Sequence, residues 1–359
     1  MKRLAMMLAV AGLLSGGVAD ALTVTNVNVG TWTRIDLPTE DVRYIEAAQG
    51  TQTLFWRDDP SSSDILRRAT YAWDGTTVTL GAITSPAGFS TEVDHASILN
   101  NGGGSLEIYF QDTSIPSSSA LEYANSADGG NNWANQATVS YPFPTPPGIG
   151  DSGTTGGGGL VEVGTQRRHY AQNNFGDIVL FTTTAGSSGP MTNAGRLIQK
   201  NASGTAPSGA AYSFQNQSPS GDAVVMPTGD VLYFYTDGEG AEATQGAVGV
   251  LLLDATGLGF TDVRDNFVQV SDAGLVAAGM TKLDEMTVSN VSYNANQMSF
   301  LLFLDGDSTA NGGNEDIFYA PVTLTFDETV GGEPPIPEPG VMGLLGLGVL
   351  GLVRRKRRG

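Results

Sequence analysis

The feature that most constrains this chain is a repeat. Five segments share one shape: an apolar strand that ends in an aromatic residue, usually with an acid two positions on. They are TLFWRD with Trp56 and Asp58, EIYFQD with Phe110 and Asp112, IVLFTT with Phe181, LYFYTD with Tyr235 and Asp237, and FLLFLD with Phe303 and Asp305. The aromatic positions lie 54, 71, 54 and 68 residues apart. Strand-like stretches precede most of them (VRYIEAA from Val42, HASILN from His95, AVVMP from Ala223, VSNVSY from Val288). Others follow them, such as ALEYANSADGG from Ala120 and GVLLLDATGLG from Gly249. Each unit reads as a meander of three or four strands bounded by turn residues. One meander cannot bury both of its faces, whereas a ring of them can, which is the β-propeller solution.

Five units fill the stretch from Leu22 to Val330, so the chain is read as all-β, a β-propeller of five blades. The third unit fits worst, because Gly156–Gly159 and the RRHYAQNN stretch blur its strands. Six blades, or five with an insertion there, is the alternative count, and a β-sandwich or jelly roll is the competing fold. No long stretch between Leu22 and Val330 has helical apolar spacing.

The two ends are processing signals and stand outside the fold argument. Lys2 and Arg3 precede an apolar stretch, Leu4 to Leu14, then small residues and Ala19-Asp20-Ala21. That pattern is a secretory signal peptide over 1–21, with maturation beginning at Leu22. At the other end a linker, 331–336, leads to Pro337-Glu338-Pro339, an apolar run from Gly340 to Val353, and the basic cluster Arg354, Arg355, Lys356, Arg357 and Arg358. A helix over that run spans about 21 Å at 1.5 Å per residue, short of the roughly 20 residues a stable membrane span needs. The cations are expected to stay on the cytoplasmic side. Proline cannot continue the helix backwards, so the motif is expected to sit extended at the membrane surface.

This layout of Pro-Glu-Pro, short apolar segment and basic end resembles the PEP-CTERM sorting signal of exosortase substrates. The resemblance implies transient membrane anchoring through the C-terminal helix. It also implies cleavage near Pro337, Glu338 and Pro339 by a membrane-bound exosortase after signal peptidase has acted at the other end. The expected destination is the cell surface or exopolysaccharide matrix of a Gram-negative bacterium.

Charge and cysteine usage narrow the chemistry. The chain has 18 basic and 37 acidic residues. Leaving out Lys2, Arg3 and Asp20, and the five basic residues of the tail, leaves 11 basic against 36 acidic, a net charge of −25. Such a body has no electrostatic attraction for nucleic acid or anionic lipid. Cysteine is absent, which excludes disulfides, thiol catalysis and cysteine–zinc sites. With only His95 and His169 present, a histidine-rich metal site is excluded as well.

Three motifs carry structural or chemical meaning. Ser126-Ala127-Asp128-Gly129-Gly130-Asn131-Asn132-Trp133 follows a strand directly and resembles the Asp-box of sialidase-like propellers, S-x-D-x-G-x-x-W. In that family the box shapes the turn between the two outer strands of a blade. Ser126 and Asp128 can accept backbone amides, Gly130 can take positive φ, and Trp133 can pack between blades. Weaker echoes lie at YAWDGTTV from Tyr71 and LLDATGLGF from Leu252.

The second motif is a set of acids. Asp41, Asp94, Asp222 and Glu285 precede candidate inner strands, and Glu162 lies within the third unit. Five-bladed glycosidases that cleave arabinan, xylan or fructan place three carboxylates around a central funnel as base, acid and orienting group. By that resemblance Asp94, Asp41, Asp222 and Glu162 are the candidate catalytic acids, with Asp94, followed by His95, the first choice for a base. The sialidase resemblance would instead require three arginines, for which Arg34, Arg43, Arg168 and Arg264 are the candidates. The third motif, Asp305 to Asp316, packs oxygen ligands into one stretch and opens like a Ca²⁺ loop, so Asp305, Asp307 and Asp316 are candidate Ca²⁺ ligands.

The functional expectation is an exported propeller used for binding or matrix structure, with carbohydrate polymers as its partners. A secreted glycoside hydrolase is the alternative.

Overall fold

The computed structural model describes residues 22–330, apart from 38–40, 59–64, 90–92, 112–119, 143–153, 156, 174–175, 216 and 239–245. Residues 1–21 and 331–359, which include the expected signal peptide and Pro337-Glu338-Pro339, lie outside the described residues, as does Asp112.

The chain forms five antiparallel sheets arranged as the blades of a propeller, plus one small hairpin. It begins with β1 (Val24–Val29) and β2 (Thr33–Ile35), which belong to the last blade. Blade 1 is β3 (Val42–Ala47), β4 (Thr53–Asp58), β5 (Ile65–Trp73) and β6 (Val78–Leu80). Blade 2 is β7 (Asp94–Gly102), β8 (Ser105–Gln111), β9 (Ala120–Ser126) and β10 (Ala134–Ser140). Blade 3 has a split inner strand, β11 (Thr154–Thr155) and β12 (Leu160–Val163), then β13 (Gln166–Asn173), β14 (Ile178–Thr184) and β15 (Thr192–Ile198). The hairpin β16 (Ser203–Thr205) and β17 (Ala211–Ser213) follows. Blade 4 is β18 (Gln217–Val225), β19 (Val231–Asp237), β20 (Ala247–Leu253) and β21 (Phe260–Gln269). A short helix, α1 (Ala273–Ala278), leads to blade 5: β22 (Glu285–Asn294), β23 (Gln297–Asp307) and β24 (Glu315–Phe326). Its outermost place is taken by β1, which pairs antiparallel with β24 from Val24↔Phe326 to Val29↔Val322. The ring is thus closed by the start of the chain. Val24 N also donates to Asp262 Oδ2 at 2.7 Å, tying the closing strand to blade 4.

The aromatic segments explain themselves once placed. Successive strand residues point to opposite faces, and a propeller blade is covered on both. In β4, Phe55 packs towards blade 2 with Phe110 and Trp133, while Trp56 packs towards blade 5 with Phe303 and Tyr319. In β8, Phe110 faces blade 1 and Tyr109 faces blade 3. Each of the five blade interfaces carries its own apolar cluster. The second strands of blades 1, 2, 4 and 5 read as largely apolar runs because both faces are buried.

Blade 3 corrects the repeat by one strand. IVLFTT is the third strand, β14, and RRHYAQNN is the second, β13. β13 blurs the repeat because it is polar, yet Arg167 and His169 are fully buried. Arg167 pairs with Glu107 at 2.6 Å and Glu162 at 2.8 Å, and Tyr109 OH lies 2.9 Å away. His169 Nδ1 lies 2.7 Å from Tyr141 OH and its Nε2 3.0 Å from Ser97 Oγ. Burial, with the Arg167 charge adding to it, pushes the His169 imidazole down to about 3, so it stays neutral.

The Ser126–Trp133 turn joins the two outer strands of blade 2, β9 and β10. Ser126 Oγ donates to Asp128 Oδ1 at 2.8 Å and accepts Gly130 N at 3.0 Å. Asp128 Oδ1 also accepts the amides of Asn131 and Asn132 at 3.1 and 2.9 Å. Gly130 has φ +86°, and a Cβ there would lie 2.4 Å from Phe55 Cζ, so only glycine fits. Trp133 is buried and its Nε1 donates to Gly130 O at 3.1 Å. The two sequence echoes occupy the same place in blades 1 and 4. Asp74 Oδ1 accepts Thr76 N and Thr77 N, and Asp254 Oδ1 accepts Thr256 N and Gly257 N.

Candidate functional site: the axial funnel

The inner strands β3, β7, β12, β18 and β22 surround the axis, and all enter it from the same end, called upper here. Midway down, the axis is sealed by side chains that reach from blade to blade. Glu46 of β3 accepts Ile98 N of β7 at 3.2 Å. Ser97 Oγ donates to Gly158 O at 2.6 Å. Gly159 lies so close to blade 4 that a Cβ would sit 2.5 Å from Ala223 N. Asp222 of β18 accepts Gln49 Nε2 at 2.6 Å, Val288 N at 2.9 Å and Thr287 Oγ1 at 3.0 Å. Thr287 Oγ1 in turn accepts Ala47 N at 3.0 Å, which completes the circuit. Among the described residues no backbone ladder crosses between blades at this level, so these contacts staple the ring.

Two buried carboxyls thus face one another across the seal. Burial raises Glu46 well above the usual carboxylate range, and the Asp222 charge adds to this against the Ile98 amide. Burial also raises Asp222, to about 7, although four hydrogen-bond donors favour its charged form.

Above the seal, two bulges aim side chains into the mouth. The β3–β4 register shifts between Arg43 and Glu46, and the β7–β8 register shifts between Asp94 and Ser97. Bulges of this kind bend a strand and re-aim its residues. Within them Tyr44 has φ +56° and His95 has φ +40°. Positive φ is costly for bulky residues and collects at functional sites. The two rings lie 3.7 Å apart between centroids, at 37°. Arg57 sits over the Tyr44 ring, its Cζ 5.3 Å from the centroid, and its Nη1 lies 3.0 Å from Asp94 Oδ1. His95 bridges two acids: its Nδ1 is 3.0 Å from Asp94 Oδ1 and its Nε2 is 3.9 Å from Glu285 Oε1. Burial opposes the charge on Asp94, but His95 and Arg57 outweigh it and hold the carboxyl below its ordinary value. Burial, helped by Asp94 and Glu285, raises the Tyr44 phenol, which therefore stays neutral.

The four candidate acids are not gathered at one point. Asp94 lies in the upper mouth, held by Arg57. Asp41 lies on the rim towards blade 5, where its Oδ1 accepts Glu315 N at 3.1 Å. Asp222 is inside the seal. Glu162 is at the lower end, bound to Arg167 and to Gly186 N, beside a recess of about 510 Å³ that Asn100, Val225 and Tyr293 also line. Of the arginines considered for a triad, Arg34 pairs with Asp316 at 2.6 Å, and Arg168 Nη2 donates to Ala255 O at 2.8 Å. Arg43 reaches the mouth. The side chains that complete the mouth, Tyr44 and Arg57, were not among the sequence candidates: Tyr44 sits in a bulge, which leaves no periodic trace, and Arg57 reads only as the polar end of β4.

Asp305 to Asp316 is a β-hairpin, with β23 running through Asp307 and β24 starting at Glu315. This pulls the three candidate Ca²⁺ ligands apart. Asp305 accepts Glu285 N at 2.6 Å, and Asp316 is taken by Arg34 and by Asn311 Nδ2 at 3.2 Å. Of the three, Asp307 groups with two carboxylates outside the candidate set, Asp284 and Glu315.

Residues 335–358 match the PEP-CTERM protein-sorting motif. The chain is thus an exported bacterial protein whose sorting motif implies exosortase-dependent processing. Among the described residues no helix is long and apolar enough to cross a membrane; the apolar run of the tail lies outside them. No curated protein matches the chain. Among solved structures it resembles the fructofuranosidase from Schwanniomyces occidentalis complexed with fructose, with 12% identity, a TM-score of 0.50, and coverage of 80% of this chain and 58% of that one. It also resembles an exo-1,5-α-L-arabinanase from a bovine ruminal metagenomic library (12% identity, TM-score 0.46, coverage 80% and 94%). A third is a protein of unknown function from Dyadobacter fermentans (11% identity, TM-score 0.46, coverage 84% and 100%). The likeness is one of fold: an exported protein whose body is a five-bladed propeller like those of glycoside hydrolases.

Proposed function

We propose that this is a surface or matrix protein of a Gram-negative bacterium that binds polysaccharide in its upper funnel without cleaving it. In this reading signal peptidase releases the chain at Leu22, and exosortase cuts it near Pro337, Glu338 and Pro339. The observation that carries the reading is the blind funnel: an aromatic and charged floor directly above a sealed axis. The close, tilted Tyr44–His95 pair offers apolar ring surface beside polar groups, which suits a sugar unit. The strained backbone of both residues is a cost that a binding surface explains. Catalysis by paired carboxylates calls for two acids about 5–10 Å apart with room for the glycosidic bond between them. Here Asp94 is held by Arg57, and the His95 ring fills the space between Asp94 and Glu285. The Ser126, Asp128, Gly130 and Trp133 turn, sialidase-like in sequence, serves as a brace of blade 2.

The test is calorimetric titration of the full-length protein with arabinan, levan and bacterial exopolysaccharide fragments, beside release of nitrophenol from chromogenic arabinosides and fructosides. Saturable binding that Tyr44→Ala abolishes, with no hydrolysis, supports the reading. Hydrolysis that Asp94→Asn removes would replace it with the hydrolase alternative.

A further inference from the structure

We propose that the recess at the lower end of the axis is the docking site of this chain's own segment 331–336. The recess measures about 510 Å³. A bulge shapes one wall: β22 shifts register against β23 between Ser289 and Ser292, where Asn290 has φ +52°. Bulges re-aim the residues beside them, and here these are Val291 and Tyr293, both half-buried and both lining the recess. The polar side chains around it are already engaged within the protein. Gln49 Nε2 donates to Asp222, Asn100 Nδ2 to Gln49 O, Asn101 Nδ2 to Glu107, and Glu162 is bound to Arg167. What the recess offers an occupant is therefore apolar surface, with Val225, Val291 and Tyr293 as its half-buried part.

The path of the backbone names the occupant. Asp327 is still at the outer edge of blade 5, where its carboxylate accepts Thr23 N at 2.8 Å and Thr23 Oγ1 at 2.6 Å. Three residues on, Val330 N donates to Ala295 O at 2.9 Å. Ala295 lies in the turn after the inner strand β22, two positions beyond Tyr293. The chain thus crosses blade 5 from its outer edge towards the axis. Val330 is buried in the apolar cluster against which Val291 and Tyr293 pack. The next residues are Gly331-Gly332-Glu333-Pro334-Pro335-Ile336. Extended at about 3.1 Å per residue, they reach roughly 19 Å, enough to enter a recess whose wall begins beside Ala295. Two glycines permit the reversal. Pro334, Pro335 and Ile336 supply an apolar stretch that is stiff before it binds, and proline-rich segments of this kind dock on aromatic-lined grooves. Tyr293 is the aromatic residue here.

Docking sets the orientation of the protein. Pro337 follows directly on the docked segment, so in the uncut chain the apolar run from Gly340 starts beside the lower face. The funnel mouth, at the other end of the axis, then points away from the membrane. This orientation rests on the sorting reading above, whereas the docking itself does not.

The experiment is hydrogen exchange on the full-length chain in detergent, comparing the parent with Ile336→Asp. Amides of 291–294 and 99–102 should exchange about tenfold faster or more in the variant, the scale of burying one apolar side chain, while those of β8 and β19 stay unchanged. The substitution leaves every described contact in place, so misfolding does not cloud the result. The chain has no cysteine, which allows a second measurement. Ile336→Cys should form a disulfide within one chain when paired with Val225→Cys, and not when paired with Thr25→Cys, an exposed position at the same end but outside the recess. Exchange indifferent to Ile336→Asp, or equal cross-linking of both pairs, overturns the proposal. So do two specific alternatives: disulfides formed only between chains, which would give the recess to a second copy, and exchange that ignores Ile336→Asp but slows with added oligosaccharide, which would give it to a soluble ligand.

Discussion

Asp222→Asn should stabilise this protein at pH 8 relative to pH 4, measured against the parent. The carboxyl ordinarily titrates at 3.8 and is raised to about 7 in the folded chain. A raised folded-state value means that the native state favours the protonated acid. Its stabilising contribution is complete below pH 3.8 and is lost as the pH rises through 7. At about 1.4 kcal/mol per pH unit, crossing that window removes about 4 kcal/mol. Full burial of Asp222 means that solvent does not screen the effect. An asparagine keeps one acceptor oxygen for Gln49, Thr287 and Val288 and turns an amide towards the carboxylate-bearing side of the seal. Whatever fixed cost the amide carries is the same at both pH values, so the difference between them isolates the proton. Glu46 acts in the same direction, because the Asp222 charge is one reason its own proton is held. The assay is urea unfolding of parent and variant at several pH values between 4 and 8, with the slope checked for constancy. A parent–variant difference that stays flat across this range would refute the protonation argument and leave Asp222 as an anion satisfied by its four donors.

Three further outcomes follow from packing. Gly130→Ala should lose about 2–4 kcal/mol by chemical denaturation, since the new Cβ combines left-handed backbone strain with a clash against Phe55 in a filled core. Arg167→Met should lose about 3–5 kcal/mol, because Glu107 and Glu162 would keep charges that had a buried partner; a variant with all three replaced by apolar residues should recover much of it. Asp262→Ala should weaken ring closure by about 1–3 kcal/mol, by leaving Val24 N and Ser208 Oγ without their acceptor, and limited proteolysis should then cut near β1 first.

Much of the architecture was legible because it is written in short-range patterns. The aromatic strands of blades 1, 2, 4 and 5 declare themselves, since a strand buried on both faces must be apolar throughout. The Asp74, Asp128 and Asp254 turns were also visible, because each carboxylate serves amides two to four residues away. β13 was not legible. Its arginine and histidine are buried only because Glu107 lies 60 residues before Arg167 and Tyr141 lies 28 before His169. Asp94 with His95 stood out as neighbours in sequence, but Tyr44 and Arg57, which complete the mouth, did not.

Sequence by itself determined the C-terminal sorting motif, the β class, the repeat in blades 1, 2, 4 and 5 and the turns between their outer strands. All of these depend on residues within a few positions of one another. Only the tertiary structure decided what the acids do. Asp222 became a staple of the sealed axis because Gln49, 173 residues away, reaches it. Glu162 became a counter-ion at the lower end, and Asp94 a partner of Arg57 in the upper mouth. A carboxylate's role is set by the charge and donors that face it across the ring, and blade packing alone brings those together.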